Sequence, residues 1–301
     1  MLRTVPRKII AVVVPAFAAM VTATLFGCVT IPTDHRTLHG DARGFVRVAS
    51  APCAQATAAL DRETVPTLDA ERLRVLTWNI HRASHPNWRE DFTKFARDHD
   101  VLALQEAYLT DDLYGALWDQ RYHWRLTAAF QLFNVDAGVL TASRAPAYRT
   151  CSLRRAEPWL RVPKSALATS YRIAGLNESL LVANLHGVNF TIGITAFREQ
   201  VEAVASVIAD HRGPVVLAGD FNTWSEARRL LLESTVARLG LEPVRLADDH
   251  RTRFLGEPVD GMYYRGLEVT AAVAHPVTSS DHNPISVTFR APTATVVAQR
   301  L

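Results

Sequence analysis

An amphipathic helix that leads directly into a buried strand is the feature of this sequence that most restricts its fold. The run TAFREQVEAVASVIADHRG, residues 195–213, has apolar side chains at i, i+4, i+7 and i+11: Phe197, Val201, Val204 and Ile208. Gly213 and Pro214 end the predicted helix. The next run, PVVLAGD, is short and almost wholly apolar, which is typical of a buried strand. A helix followed at once by a buried strand indicates a sheet covered by helices, as in α/β folds.

The same alternation of strands and helices extends over residues 71–291, which we predict to form one α/β domain. The other strand candidates are LRVLTWNI (73–80), DVLALQE (100–106), AGVLTAS (137–143), ALATSYRI (166–173), SLLVANLH (179–186), VDGMYY (259–264) and PISVTF (284–289). Residues 88–98 and 225–240 have helical spacing. Residues 29–70 show no sustained period and are predicted to be a tether, and residues 292–301 a tail.

The first 28 residues are typical of a targeting or anchoring segment and not of a folded domain. Three basic residues within the first eight positions precede an uncharged apolar run over residues 9–29. The ending LFGC resembles a bacterial lipobox, which would make Cys28 the lipid attachment site, and the alternative is an uncleaved anchor that spans the bilayer. In both cases the chain is expected in the cell envelope, facing outward, either membrane-anchored or secreted. In that oxidising setting Cys53 and Cys151 could pair.

Composition and motifs exclude several classes of protein. The net charge of +3 is carried mostly by arginine, and no cluster of the kind that marks a nucleic-acid-binding face stands out. The chain has no GxSxG elbow of a serine hydrolase. It also has no glycine-rich phosphate loop ending in GK. Its three cysteines are too far apart for zinc-ligand spacing.

Polar residues recur at the ends of the predicted strands or in the loops beside them: Asn79, Glu106, His186, Asp220, Asn222, Asp281 and His282. Each has an ordinary structural explanation on its own, such as a turn residue, a helix cap or a hydrogen-bonded surface group. Together, each beside an apolar strand, they favour a functional site, because catalytic residues collect on loops that a rigid sheet holds in place.

In this context the sequence resembles the endonuclease/exonuclease/phosphatase superfamily. The stretches that carry the resemblance are LTWNI (76–80), LALQE (102–106), GVLTASRAP (138–146), VANLHGV (182–188), LAGDFNT (217–223), VDGMYY (259–264) and SSDHNPISV (279–287). They cover nearly all of residues 71–291 in the family's order. The resemblance implies a DNase I-like four-layer sandwich, in which two packed mixed β-sheets are flanked by helices and the active site lies at one rim.

The resemblance also implies a divalent metal site. Glu106 matches the family's metal position, with Asn79 and Asp281 nearby. A shell of hard oxygen ligands suits Mg²⁺ or Mn²⁺.

The remaining matched positions imply the catalytic groups. Asp220 would orient and deprotonate the attacking water, and Asn222 would hold the water or the phosphate. His186 and His282 would donate to phosphate oxygens, and one of them would protonate the leaving group. Asp260 would accept a hydrogen bond from His282 and fix its tautomer.

The substrate stays open between two kinds of phosphoester. The expected activity is that of a metal-dependent phosphodiesterase or nuclease acting outside the cytoplasm, and the alternative is a phosphodiesterase of phospholipid or sphingomyelin type. A non-catalytic envelope module that binds a phosphorylated ligand is the alternative from another class, although such a module would be expected to have lost Glu106, Asp220 or His282. The partners expected are nucleic acid or a phospholipid head group, and the membrane. No protein partner is inferred.

Overall fold

A computed structural model describes residues 29–33, 36–49, 53, 61–158, 162–189, 191 and 193–292. The predicted signal or anchor over residues 1–28, the lipid site at Cys28 and almost all of the predicted tail lie outside the described residues. No helix among the described residues is long and apolar enough to cross a membrane.

The described part of the chain forms seventeen strands and four α-helices. The strands are β1 Val29–Thr30, β2 Arg36–Asp41, β3 Gly44–Ala49, β4 Leu73–Asn79, β5 Val101–Tyr108, β6 His123–Leu132, β7 Val135–Ser143, β8 Arg149–Ala156, β9 Pro163–Tyr171, β10 Leu180–His186, β11 Val215–Asp220, β12 Glu242–Pro243, β13 Arg253–Phe254, β14 Glu257–Pro258, β15 Asp260–Arg265, β16 Glu268–Ala274 and β17 Ile285–Arg290. The helices are α1 Trp88–Asp98, α2 Asp111–Asp119, α3 Thr195–Ala209 and α4 Glu226–Arg238.

Two mixed sheets contain nearly all of these strands. The first has the order β16–β17–β4–β5–β7–β6–β2–β3, and β1 pairs with β6 beside this path. The second has the order β12–β15–β11–β10–β9–β8. Each described sheet contains one parallel pair, β4 with β5 and β10 with β11, among antiparallel neighbours. β13 and β14 form a small separate hairpin.

Three apolar clusters show how the layers pack. The first joins the first sheet to α1 and α2, with Trp78, Phe92 and Leu113 among its buried members. The second joins the second sheet to α3 and α4. The third lies between the sheets, where Val75 of β4 and Val216 of β11 are both fully buried. The order is therefore helices, sheet, sheet, helices, which confirms the four-layer DNase I-like sandwich.

The structure corrects the prediction of a tether over residues 29–70. β1, β2 and β3 lie inside that range and belong to the first sheet, in which β2 pairs with β6 and β3 with β2. These strands were missed because β3 is the edge strand of the sheet and β2 is its neighbour, and charged residues interrupt the apolar alternation of both. Cys53 and Cys151 form a disulfide, which fastens another part of the same range to β8.

Candidate active site

Four strands end at one edge of the sandwich, which we call the rim: the C-terminal ends of β4, β5, β10 and β11. Asn79 lies opposite Gln105 where β4 and β5 pair, and His186 lies opposite Asp220 where β10 and β11 pair. The Asn79 amide donates a hydrogen bond of 3.1 Å to Asp220, so the two sheets meet here. β15 begins at Asp260, directly opposite Asp220. Strand register therefore aligns the polar side chains within each sheet, and the packing of the two sheets brings the two sets together.

Asp220 lies at the centre of the rim and is buried. One carboxylate oxygen accepts from Asn79 and lies 3.5 Å from Nε2 of His186, and the other accepts from the backbone N–H of Asn222 at 3.0 Å. Burial, reinforced by the negative charge of Asp260, raises the pKa of Asp220 above its usual range. A buried carboxylate with a raised pKa is a competent proton acceptor near neutral pH.

His282 and Asp260 form an acid–imidazole pair beside Asp220. Nδ1 of His282 donates to Asp260 at 2.8 Å, which fixes the ring so that Nε2 is the nitrogen left for a substrate. Burial alone would lower the pKa of His282, but the charge of Asp260 and this hydrogen bond outweigh burial and raise the pKa to about 10. At neutral pH His282 is therefore a charged donor.

Asn222 is fixed by the backbone around it. Its side-chain amide donates to the carbonyl of Gly187 at 3.0 Å, so its oxygen is the end that can face a substrate. Its own backbone is left-handed, with φ 52°, which asparagine tolerates better than most residues. Gly187 is needed for the close approach of the two loops, because a Cβ there would lie 2.4 Å from the carbonyl oxygen of Phe221.

A bulge in β5 sets the direction of Glu106. The register between β5 and β7 shifts between Leu104 and Ala107, and Glu106 has a left-handed φ of 51°. Bulges of this kind redirect a side chain next to functional sites. The carboxylate of Glu106 lies 3.9 Å from Nζ of Lys164 and 4.0 Å from Nε of Arg82. Glu106 is thus a half-buried acid with cations on both sides.

Lys164 and His186 form a contact that the sequence reading did not include. Nζ of Lys164 lies 2.9 Å from Nε2 of His186, and because an ammonium group only donates, Nε2 must accept. Burial, followed by the charge of Lys164, moves the pKa of His186 well below its usual value. His186 is therefore neutral, and the proton at this contact belongs to Lys164.

Asp281 is held on the flank of the rim by the loop that follows β4. Its carboxylate lies 3.0 Å from Nδ1 of His81, and His85 lies 3.0 Å from the same nitrogen. Burial would raise the pKa of Asp281, but the hydrogen bond from His81 and the charge of His282 lower it to about 2. Asp281 is therefore a fixed negative charge beside the site.

The donor atoms at Glu106 fit a hard divalent cation. Among the described residues no side chain donates a hydrogen bond to its carboxylate, since the flanking cations lie at about 4 Å. The amide oxygen of Asn79 accepts one bond, from the backbone of His81, and keeps a second lone pair. Carboxylate and amide oxygens are the ligands that Mg²⁺ and Mn²⁺ prefer.

A second acidic group lies close by. Single ligand atoms of Asp220, Asp260 and His282 all lie within 4.8 Å of one another. Here the imidazolium of His282 already supplies the positive charge, because its Nδ1 proton is bound to Asp260. This group therefore looks like a proton-transfer site, and the Glu106 position is the better candidate for the metal.

The rim brings together seven of the eight residues predicted from the sequence: Asn79, Glu106, His186, Asp220, Asn222, Asp260 and His282. Asp281 lies beside them in contact with His81. Sequence reasoning missed Lys164, Arg82 and His81. Arg82 and His81 follow the recognised LTWNI stretch directly, and Lys164 is one of only three lysines in the chain, so position and rarity were the available signals.

Comparison with known proteins identifies the family. A model described as Endonuclease/Exonuclease/phosphatase family matches residues 76–282. A UPF0294 protein of Vibrio cholerae serotype O1 is 42% identical over 226 residues, which are 74% of this chain and 79% of that protein. Two solved structures show the same fold at 17% identity. The human Nocturnin catalytic domain with bound sulfate has a TM-score of 0.58, with 79% of this chain and 98% of that chain covered. A mannosyl-6-phosphatase of Bacteroides thetaiotaomicron has a TM-score of 0.56, with 72% and 99% covered.

The matched span, residues 76–282, contains every predicted catalytic and metal-binding residue. The architecture and the family model agree over more than half of the chain. The chain belongs to the endonuclease/exonuclease/phosphatase family, a superfamily of phosphoester hydrolases.

Proposed function

We propose that this protein is a divalent-metal-dependent phosphodiesterase that acts outside the cytoplasm. The observation that carries the proposal is the placement of a buried base, Asp220, next to a charged acid, His282, within one cluster at the rim. Cleavage of a phosphoester by water needs both groups, one to take a proton from the nucleophile and one to give a proton to the leaving group.

The side chains suggest the following proton transfers. Asp220, held by Asn79 and by the backbone of Asn222, takes a proton from the attacking water as the water oxygen bonds to phosphorus. His282 gives its Nε2 proton to the leaving oxygen as the phosphorus–oxygen bond breaks, and Asp260 stabilises the ring while it is charged. A divalent cation held by Glu106 and Asn79 would polarise a phosphoryl oxygen.

Two cationic side chains would bind the phosphate itself. Lys164 and Arg82 lie 3.9 and 4.0 Å from the carboxylate of Glu106, so both can donate to the oxygens of a phosphate placed beside a cation on that carboxylate. His186, as a neutral acceptor, positions the Lys164 ammonium. The full set of polar groups argues against a non-catalytic binding module, which has no need for a buried base and a charged acid whose pKa values are both raised.

A location outside the cytoplasm has two supports. The disulfide between Cys53 and Cys151 is of a kind that persists in oxidising compartments and is rare in the cytosol. The basic start and apolar run of residues 1–29 are typical of a segment that anchors or exports a chain. A lipid on Cys28 and an uncleaved anchor both remain compatible with this proposal.

The test uses the full chain and the soluble chromogenic diester bis-p-nitrophenyl phosphate, with Mg²⁺, with Mn²⁺ and with chelator. Turnover is expected with metal and not with chelator. The change His282→Ala should lower turnover by about two to four orders of magnitude. Glu106→Gln should raise the metal concentration needed for half-maximal turnover, and Asp249→Asn, which changes an acid paired with Arg251, should alter neither quantity. Equal turnover in wild type, His282→Ala and Glu106→Gln would refute the proposed function.

A further inference from the structure

The described chain begins at the same rim that holds the catalytic groups. β1 pairs antiparallel with the end of β6, with Val29 opposite Leu132 and Thr30 opposite Gln131. β6 and β7 form a hairpin whose tip lies beyond the C-terminal end of β5, where Glu106 is located. Val29 therefore lies nearer to the hairpin tip, and so to the rim, than Thr30 does.

This register leaves no spacer between the apolar run and the domain. The uncharged run covers residues 9–29, and its last residue, Val29, is already hydrogen-bonded into the first sheet. β1 is separated from β5 by β6 and β7, which is about 14 Å at the usual strand spacing. A membrane that held the apolar run would thus lie close to the catalytic rim.

Bulky apolar side chains are exposed where the chain enters. Phe133, at the tip of the β6–β7 hairpin, is 70% exposed, and Ile31 is 41% exposed. Phe133 also has a left-handed φ of 48°, in a two-residue turn that normally takes asparagine or glycine. Exposure and backbone strain both disfavour phenylalanine at this position in water, and strained outliers tend to occur where function requires them.

A second hairpin repeats this arrangement on the other side of the site. The β13–β14 hairpin has Leu255 at its tip, 59% exposed with a φ of 54°, beside Phe254, which is 42% exposed. The hairpin is fastened to the rim because Thr252, just before it, donates to the carbonyl of Asp281, and Asp260 lies two residues after its last strand. Two apolar tips with left-handed backbone thus flank the acid–imidazole pair.

We propose that the rim lies on the surface of a phospholipid bilayer and that the substrate is the phosphodiester of a membrane phospholipid. This inference rests on the proposed phosphodiesterase activity. The two tips insert apolar side chains at the level of the acyl–headgroup boundary, as interfacial anchors do. The catalytic groups between them then face the headgroup phosphates, with Lys164 and Arg82 as the cationic contacts.

A nucleic acid fits the same rim less well. A duplex is bound through many basic side chains on its phosphates, and a single strand through a basic groove with stacking aromatic side chains. The exposed apolar side chains here are Phe133, Phe254 and Leu255 of the two hairpins and Ile31 after β1, of which two are aliphatic. The nearest basic side chain of the second hairpin, Arg253, is paired with Asp249. Apolar tips gain free energy by leaving water, which a bilayer provides and a polyanion does not.

The test compares two substrates with the full-length protein in vesicles of phosphatidylcholine and phosphatidylglycerol. The double variant Phe133→Asn/Leu255→Asn removes both tips, and asparagine suits a left-handed turn position, so folding should not suffer. Vesicle phospholipid hydrolysis should fall about tenfold, because the variant no longer inserts the side chains of residues 133 and 255 into the bilayer. Hydrolysis of soluble bis-p-nitrophenyl phosphate should stay within about twofold of wild type.

Trp118→Gln is the matched control, because Trp118 is 43% exposed but lies at the end of α2 remote from the rim. It should leave both rates unchanged. Wild-type vesicle turnover in the double variant, or an equal loss on both substrates, overturns the inference. So does a wild type that cleaves DNA or the soluble diester but no phospholipid, and in that case the proposed phosphodiesterase function stands.

A measurement that does not depend on turnover distinguishes failure of membrane docking from failure of the proposed phosphodiesterase function. Hydroxyl-radical oxidation of Phe133 should be at least about threefold slower in vesicles than in detergent, while oxidation of Trp118 changes little. Protection of Phe133 from oxidation, without any phosphodiester cleavage, supports docking and refutes the proposed function. Equal oxidation of Phe133 in both settings overturns docking whatever the enzyme cleaves.

Discussion

Replacing Asp260 by asparagine should move the alkaline limit of activity by several pH units. In the folded protein the pKa of His282 is raised from 6.5 to about 10, because the charge of Asp260 and its hydrogen bond outweigh the effect of burial. At 1.36 kcal/mol per pH unit this is a preference of about 5 kcal/mol for the charged ring. Without the carboxylate, burial acts unopposed by its strongest partner, and the pKa should fall to about 6.5 or below.

The expected loss follows from the fraction of His282 that still carries its proton. At pH 8.5 a ring with a pKa of about 6.5 is about 1% protonated, so the variant should be about a hundredfold slower than wild type. The loss should shrink as the pH falls toward 6, because the variant ring regains its proton. Wild type should hold its activity up to about pH 10, the value at which the ring loses its proton.

The assay is the rate of bis-p-nitrophenyl phosphate hydrolysis from pH 5.5 to 10.5 at saturating metal. Asp249→Asn serves as the control, because Asp249 pairs with Arg251 and Arg253 and not with the imidazole. Its profile should match wild type. The reasoning is refuted if Asp260→Asn slows the reaction by the same factor at every pH, since a uniform loss would mean that Asp260 only maintains the fold.

Three further predictions concern stability. Changing Cys53 and Cys151 to serine should cost about 4 to 5 kcal/mol of unfolding free energy in urea titrations, because the disulfide closes a loop with a sequence separation of 98, and unchanged stability would mean the bond is not formed. Burial, then the charge of Arg125, lowers the pKa of His39 to about 4. Below about pH 6.5 the unfolded chain therefore binds a proton at this residue that the folded chain does not bind until about pH 4. Stability should therefore fall between about pH 6.5 and 4, and His39→Gln should recover about 1 to 2 kcal/mol of it after discounting for solvent screening; an unchanged slope of unfolding free energy against pH would contradict this. Arg228 is fully buried and donates to three backbone carbonyls and a threonine hydroxyl, so Arg228→Met should cost about 3 kcal/mol or more, measured as a drop in Tm, and a Tm within a degree of wild type would count against it.

The central strands could be predicted from sequence because burial on both faces leaves an unbroken apolar run. β4, β5, β10 and β11 are of this kind, and all four were found. β8 reads RTCSLRRA, with both ends exposed, and its pairing with β9 is not visible in its own composition. β2 pairs with β6 across about ninety residues of chain. β2, next to the edge of its sheet, is specified by a partner distant in sequence, and β8, at the edge of the other sheet, by the strand that follows it, so neither has a local apolar pattern.

The part of the site that lies at the ends of apolar strands could also be predicted from the sequence. Residues placed by strand register, such as Asn79 and Asp220, follow recognisable apolar runs. The direction of Glu106 depends on a bulge, and the proximity of Lys164 to Glu106 depends on how the two sheets pack. Neither the bulge nor the sheet packing has a signature in the letters of the chain. The residues that were missed are therefore those placed by the loop after β4, His81 and Arg82, or by the packing of one sheet on the other, Lys164.

The two rim histidines, His186 and His282, have opposite pKa shifts and therefore different roles. The resemblance implied that His186 and His282 both donate to phosphate oxygens, but Nε2 of His186 accepts from Lys164 and its pKa is lowered, while the pKa of His282 is raised by Asp260. A neutral acceptor cannot donate from the same nitrogen, so the geometry favours Lys164 as the phosphate donor on that side. His186 then acts as a positioning residue. If so, His186→Gln should raise KM for the diester more than it lowers kcat, whereas His282→Ala should lower kcat itself, and the reverse pattern would assign proton transfer to His186.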